Sequence, residues 1–283
     1  MNIAFIDSNN LGYRAFHTTG HLTYGADLTG VAFGFLNQVF TFMKHAPAGI
    51  QLVFCWDSKE SLRKKIYSDY KRRDPVTSES YENRLALYSQ FDIIRKEILP
   101  ALGWTDCWLR DGYEADDLIS WGCKQVSAQR VIVSGDEDLY QCLNYGVRIF
   151  NPGTNEFFTD VDFGKKYGVT PDRWAEVKAI AGCKSDNISG AFGVGEKTVI
   201  RYFKGLLKPF GKPAQAIAEV VKNGTYERNY LLVKLPFGDW RSLQFGVGPR
   251  VLKKQDFLNV FEKYGMKSFI KRMGELSNLL ELT

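Results

Sequence analysis

The chain has 283 residues, 45% hydrophobic and 24% charged, a balance that excludes wholesale disorder and suits one large domain or a core with a smaller appendage. Lys and Arg total 37 against 32 Asp and Glu, so the net charge of +5 permits an anionic partner without requiring one. No apolar run approaches the roughly 18 residues of a membrane span, and five scattered cysteines (Cys55, Cys107, Cys123, Cys142, Cys183) without a C-x-x-C pair argue against a zinc site or disulfide framework. A reducing, cytoplasmic setting is expected, for a monomer without membrane contact.

In chain order, Ile3 to Ile6 reads as a buried strand and not as a signal peptide, having no basic start and no cleavage site. Leu52 to Trp56 and Arg130 to Ser134 are two more such strands, the last with a β-branched Val131-Ile132-Val133 centre. Between them, Val31 to Met43 and Leu118 to Val126 have helical spacing, which points to an α/β fold with a parallel sheet. Lys59 to Arg73 carries seven basic and two acidic residues, an excess equal to that of the whole chain. Its bland reading is a solvated helix. The interleaved Tyr67 and Tyr70 favour contact with single-stranded nucleic acid, with Arg63, Arg72 and Arg73 as phosphate ligands. The sequence 74–78 reads as a helix break. A helix should follow, burying Leu85, Tyr88, Phe91, Ile94 and Ile98 along one face. Beyond Tyr167 the pattern turns helical, at Pro171 to Ala181, Lys197 to Leu207 and Ala214 to Lys222, and the tail from Gln255 to Leu280 is apolar enough to pack back on the body.

The acidic residues carry the chemistry. Asp7, Asp57, Asp136 and Asp138 each follow a strand, and Glu114, Asp116 and Asp117 stand just before a helix. Singly, an Asp in a turn or a first helical turn is ordinary structure. Jointly, strands that deliver acids to one sheet edge build one pocket. Two carboxylates about 4 Å apart repel by roughly 4 kcal/mol at an effective dielectric of 20. Such a cluster requires protons or cations, and oxygen ligands without His select Mg²⁺ or Mn²⁺. A pair of ions about 3.5–4 Å apart suits phosphodiester hydrolysis, one activating water and the other stabilising the leaving oxygen.

The segments Phe5 to Arg14, Phe54 to Asp57, Tyr70-Lys71, Gly112 to Asp117, Ser134 to Gln141 and Ser185 to Thr198 occur in one order over about the first two-thirds of the chain. On these segments the sequence resembles the 5′-nuclease (flap endonuclease) family, which includes phage 5′-exonucleases and the 5′-nuclease domain of bacterial DNA polymerase I. The resemblance implies a PIN-like core over residues 1–178 and a helix-hairpin-helix region over 179–283. It also implies a helical arch at about residues 68–100 that passes a free 5′ strand. It further implies a first ion on Asp7, Asp57, Glu114, Asp116 and Asp117 and a second on Asp136, Asp138 and Asp186. Lys71 and Arg14 would act at the scissile phosphate, with Tyr13 and Tyr70 orienting terminal bases.

Gly190 to Thr198 lacks the spacing of a nucleotide-binding loop, because Glu196 separates the glycine from Lys197 and no strand is expected before Gly190. The resemblance makes it the hairpin that grips duplex DNA through Gly193, Gly195, Lys197 and Thr198 and holds a K⁺ ion. One departure stands out. Cys183 occupies a position where the family has a metal-site aspartate, which should weaken the second ion. The expected activity is 5′-3′ exonuclease and 5′-flap endonuclease action on DNA in replication or repair, with RNA–DNA hybrids as further substrates. The rival readings are a catalytically weakened binder of branched DNA and a PIN-type ribonuclease.

Overall fold

The computed structural model describes residues 2–72, 78–248 and 250–283, so Arg73 and most of the expected helix break lie outside the described residues. The three expected strands form β1 (Asn2–Asp7), β2 (Gln51–Cys55) and, after the short β3 (Cys107–Trp108), β4 (Gln129–Val133). With β5 (Arg148–Asn151) and β6 (Glu156–Phe158) they make one sheet of order β3-β2-β1-β4-β5-β6. All neighbours are parallel except the β5–β6 pair. In register, Asp7 lies opposite Cys55 of β2, and Ile6 lies opposite Val133 of β4, so these three strands end together.

Alternate residues of β1 feed two separate cores, Ala4 and Ile6 on one face and Ile3 and Phe5 on the other. Both faces are covered, which is why the strands read as continuous apolar runs instead of alternating ones. The first face is packed by α1 (Ser8–Thr19), α2 (Gly30–Met43) and α3 (Ser78–Ile93), the last extended by a π-turn over Ile94–Ile98. The tail returns to this face as expected, with Phe257, Phe261 and Phe269 buried around the Phe40 ring at centroid distances of 6.5, 6.2 and 5.1 Å. Onto the second face pack α4 (Ala115–Gln125), α5 (Trp174–Ala181), α6 (Glu196–Phe203) and a helix over Lys212–Lys222. Among the described residues, no helix is long and apolar enough to cross a membrane.

Two expectations fail. Leu85 and Tyr88 are exposed, not buried, whereas Phe91, Ile94 and Ile98 are buried as expected and Leu87 joins them, so the buried stripe starts later along α3 than the spacing suggested. A strand does precede Gly190: Ile188–Ser189 pairs antiparallel with Gly182–Cys183 in a two-residue hairpin. Gly190 itself crosses the chain so closely that a Cβ there would stand 2.2 Å from the Ala181 carbonyl carbon.

Candidate active site

Asp7 closes β1 and caps α1, its Oδ1 accepting from the Asn10 N–H at 3.1 Å and its Oδ2 from the Ser134 hydroxyl at 2.7 Å. Asp57 follows β2, where its N–H donates to Asn9 Oδ1 at 2.9 Å and its Oδ1 accepts from the Ala115 N–H at 2.8 Å. Ser134 also receives the Asp136 N–H at 3.0 Å, so one hydroxyl ties the ends of β1 and β4 together. Sequence reasoning passed over Ser134 and Asn9, because a lone hydroxyl or amide after a strand carries no signal of its own.

The expected convergence of acids occurs. Burial, then the neighbouring Asp57 and Asp136, push the Asp7 carboxyl up to about 7. Asp136 is exposed as a residue, yet the protein around its carboxyl and the charge of Asp138 push it up to about 6. Asp57 and Asp116 are also raised, burial being the largest cause for each. The cations here are already paired, Arg63 with Asp117, Lys71 with Glu114, and Lys178 with Asp138. Carboxyls pushed up first by desolvation and then by one another's charge are a site that divalent cations would relieve, so the donor set fits such ions.

Glu114 opens α4 and gathers the base of the basic tract. It accepts from the Tyr70 hydroxyl at 2.9 Å and the Lys71 ammonium at 2.7 Å. Burial opposes its charge, but Arg63 and Lys71 outweigh it and hold the carboxyl below its usual range. Lys71 adopts a left-handed backbone (φ 48°) and donates its N–H to the Asp186 carbonyl at 2.9 Å. Asn187, also left-handed, donates to the Asp69 carbonyl at 3.2 Å and to that of Arg72. The tract is thereby clamped to the segment bearing Asp186.

Three residues lie elsewhere than their proposed roles require. Arg63 is buried, 1% exposed, because it forms a bidentate pair with Asp117 at 2.7 and 2.8 Å and donates to the Leu232 carbonyl. It sits in the interior, not on a DNA-facing surface. Asp117 also accepts from the Glu114 and Phe237 N–H groups at 3.1 and 2.8 Å. Four donors fill the lone pairs of one carboxylate, leaving it none for a metal. Tyr70 is 3% exposed beneath Glu114, so its ring faces no open surface on which a base could stack.

A cleft of about 760 Å³ lies beside Asp57 and Glu114, between α1 and α3, and is walled by Tyr13, Lys71, Leu85 and Tyr88. Tyr13 and Tyr88 share a hydrogen bond at 3.1 Å across it. The two α3 residues expected in the core therefore line the cleft that Asp57 and Glu114 also border. Exposed Arg14 borders a separate depression with Gly135 and Gly153. After Asp186, the hairpin turn enters α6 through Gly195, which offers no side-chain cap to the first N–H groups of the helix. Gly193 is left-handed (φ 69°), Lys197 is exposed and Thr198 is half-buried. At the tip Phe192 is 96% exposed, a residue that carries no signal in the sequence alone.

An acid-lined carboxyl edge of a parallel sheet, beside a helix-walled cleft, defines an α/β protein with a candidate ligand site where such folds place theirs. Residues 2–168 match the family described as 5′-3′ exonuclease, N-terminal resolvase-like domain. A 5′-3′ exonuclease of Aquifex aeolicus is 31% identical over 287 residues, covering 96% of this chain and 94% of that protein. The thermostable DNA polymerase I of Thermus filiformis is 32% identical over 204 residues, covering 70% of this chain but only 23% of the polymerase. This chain thus spans about a quarter of the polymerase and nearly all of the Aquifex exonuclease. A bacteriophage T5 protein co-crystallized with metal ions shares the fold with a TM-score of 0.69 at 19% identity, over 83% of this chain and 90% of that one. A T5 flap endonuclease in complex with DNA and metal ions matches at 0.64 and 17%, over 99% and 100%. The chain belongs to the 5′-3′ exonuclease family.

Proposed function

We propose that the protein is a metal-dependent 5′-nuclease, cutting 5′ flaps endonucleolytically and nicked or duplex 5′ ends exonucleolytically during DNA replication or repair. The observation that carries this reading is the set of carboxyls at the ends of β1, β2 and β4, with Asp7 held at about 7 by burial and its neighbours Asp57 and Asp136. The match to a 5′-3′ exonuclease over 96% of the chain supports it further.

Asp7, Asp57, Glu114 and Asp116 would hold one Mg²⁺ or Mn²⁺ ion, and Asp136, Asp138 and Asp186 a second. When bound, the ions supply Lewis-acid activation of water and neutralise charge at the leaving oxygen. The residues of the chain do the rest. Ser134 and Asn9 fix the first carboxylates, and Lys71, half-exposed at the cleft, directs its ammonium toward the phosphate and offsets developing charge. Exposed Arg14 and Arg72 neutralise flanking phosphates. Tyr13 and Tyr88 line the passage for the 5′ strand, the arch being about residues 68–100. The α6 N-terminus with Lys197 grips the duplex backbone without reading sequence, and the hairpin carbonyls hold K⁺. We place the division between the catalytic part and the DNA-gripping part at about residue 178.

The test is a 5′-labelled DNA flap incubated with Mg²⁺. Cleavage at the junction is expected, abolished by EDTA and by Asp136→Ala, with flap binding by Asp136→Ala within a few-fold of wild type. Binding without turnover would favour the rival of a branched-DNA holder. Preference for an all-RNA flap would favour the ribonuclease.

A further inference from the structure

Cys183 has no part in that chemistry, yet it stands among the acids. The hairpin that pairs Cys183 with Ile188 turns through left-handed Asn187, which brings Cys183 and Asp186 to the same side. Asp138 reaches them from the helical turn after β4. One donor atom from each of Asp138, Cys183 and Asp186 lies within 4.8 Å of the other two, and all three residues are half-buried.

The donor set is mixed. Two carboxylate oxygens alone suit a hard ion, whereas a thiolate shifts preference toward Zn²⁺ or Co²⁺. Tetrahedral zinc has bonds of about 2.3 Å to sulfur and about 2.0–2.2 Å to oxygen, which separates its donors by about 3.5 Å. The present span of up to 4.8 Å is therefore somewhat wider than a closed zinc site. Three protein donors leave a fourth position open, the pattern of catalytic and not of structural zinc. The surroundings also suit a bound thiolate: the Ser185 hydroxyl lies 3.0 Å from Cys183 Sγ and can donate to it. Lys178 bonds Asp138 Oδ1 at 2.8 Å and Glu196 at 2.9 Å, fixing that carboxylate. The other cysteines are placed differently, Cys55, Cys123 and Cys142 being buried in the second apolar core.

We propose that Asp138, Cys183 and Asp186 form a site for a thiophilic divalent cation such as Zn²⁺ or Co²⁺, with Cys183 as a thiolate ligand. The inference rests on reading these acids as a metal centre. The position where an all-carboxylate site would take Mg²⁺ then selects a softer ion, and Cys183 is a change of metal preference, not a lost ligand. Binding exchanges the thiol proton for the ion: the S–H proton passes to solvent, the sulfur donates a lone pair, and no electron is transferred.

Metal-free protein titrated with Co²⁺ tests this by the near-ultraviolet thiolate-to-cobalt charge-transfer band, with calorimetric titrations of Zn²⁺ and Mg²⁺ alongside. Wild type should give a band that saturates at one equivalent. Cys183→Ser should lose the band and at least about tenfold in Zn²⁺ affinity while keeping its circular dichroism and its Mg²⁺ binding. Cys183→Asp should bind Co²⁺ without the band and gain Mg²⁺ affinity. Calorimetric Co²⁺ binding with no Cys183-dependent band would overturn the thiolate site and leave the carboxylate centre standing. Absence of any divalent binding would remove both.

Discussion

The Lys71 ammonium donates to Glu114 Oε2 at 2.7 Å, at the point where the basic tract meets the acids of α4. Burial disfavours the charge on this lysine, but Glu114, Tyr70 and Asp186 outweigh it and hold its pKa above the usual lysine range. It is therefore charged throughout the neutral range and stands in the wall of the cleft. Lys71→Ala should lower single-turnover flap cleavage by about 10²–10³-fold, the scale set by removing one preorganised donor to developing charge. Fluorescence anisotropy should show DNA affinity changed by only a few-fold. An unaltered cleavage rate would remove Lys71 from the chemistry.

Asp117 is the counterpart of Arg63 and not of an ion. Removing one member of a buried pair strands the other charge in the interior, which costs about 3–5 kcal/mol. Asp117→Ala should therefore lower the urea midpoint sharply in the metal-free protein, since Arg63 and the Phe237 N–H both lose their acceptor. If the variant keeps its stability but loses divalent binding, the carboxylate belongs to the metal centre after all.

Asp7, Asp57 and Asp136 were legible in the sequence because each one follows an apolar run, and parallel strands finish at the same edge. Asp7, Asp57 and Asp136 needed no more than that rule. Arg63 was not legible. Its neighbours Lys64 and Lys65 are exposed, and nothing local separates it from them. What buries it is Asp117 and the Leu232 carbonyl, 54 and 169 residues away. Leu85 and Tyr88 misled for a related reason: helical spacing reports an apolar face but not whether that face meets a core or a cleft. Cys183 stands out from the pattern the resemblance implies, but its consequence depends on which side of the hairpin it shares with Asp186, and spacing cannot supply that.

Metal-free protein should lose stability as pH rises. A carboxyl whose folded pKa lies above its unfolded value holds its proton more tightly when folded. Its favourable contribution is complete below the unfolded value of 3.8 and disappears as pH climbs through about 6 for Asp136 and about 7 for Asp7. The melting temperature in EDTA should fall by several degrees between pH 5 and pH 8. Divalent ions compete with those protons, so added Mn²⁺ should raise the melting temperature more at pH 8 than at pH 5. A larger metal effect at pH 5 would contradict the assignment of these acids as ligands.

Phe192 is the remaining oddity of the hairpin. At 96% exposure its ring contributes nothing to the core, and it stands between Gly190 and left-handed Gly193, at the turn that enters α6. An apolar ring kept in water beside the uncapped start of α6 is suited to stacking on a base or a sugar, if that helix end grips duplex DNA as proposed. Stacking contacts of aromatic side chains with bases are worth about 1–3 kcal/mol each. Phe192→Ala should accordingly weaken flap-DNA binding by about tenfold or more, with the cleavage rate at saturating enzyme unchanged and the melting temperature no lower. Phe192→Trp should restore the affinity, since it needs only a flat ring. If alanine leaves binding intact, the ring faces away from the bound duplex and the hairpin grips DNA through its backbone and Lys197 alone.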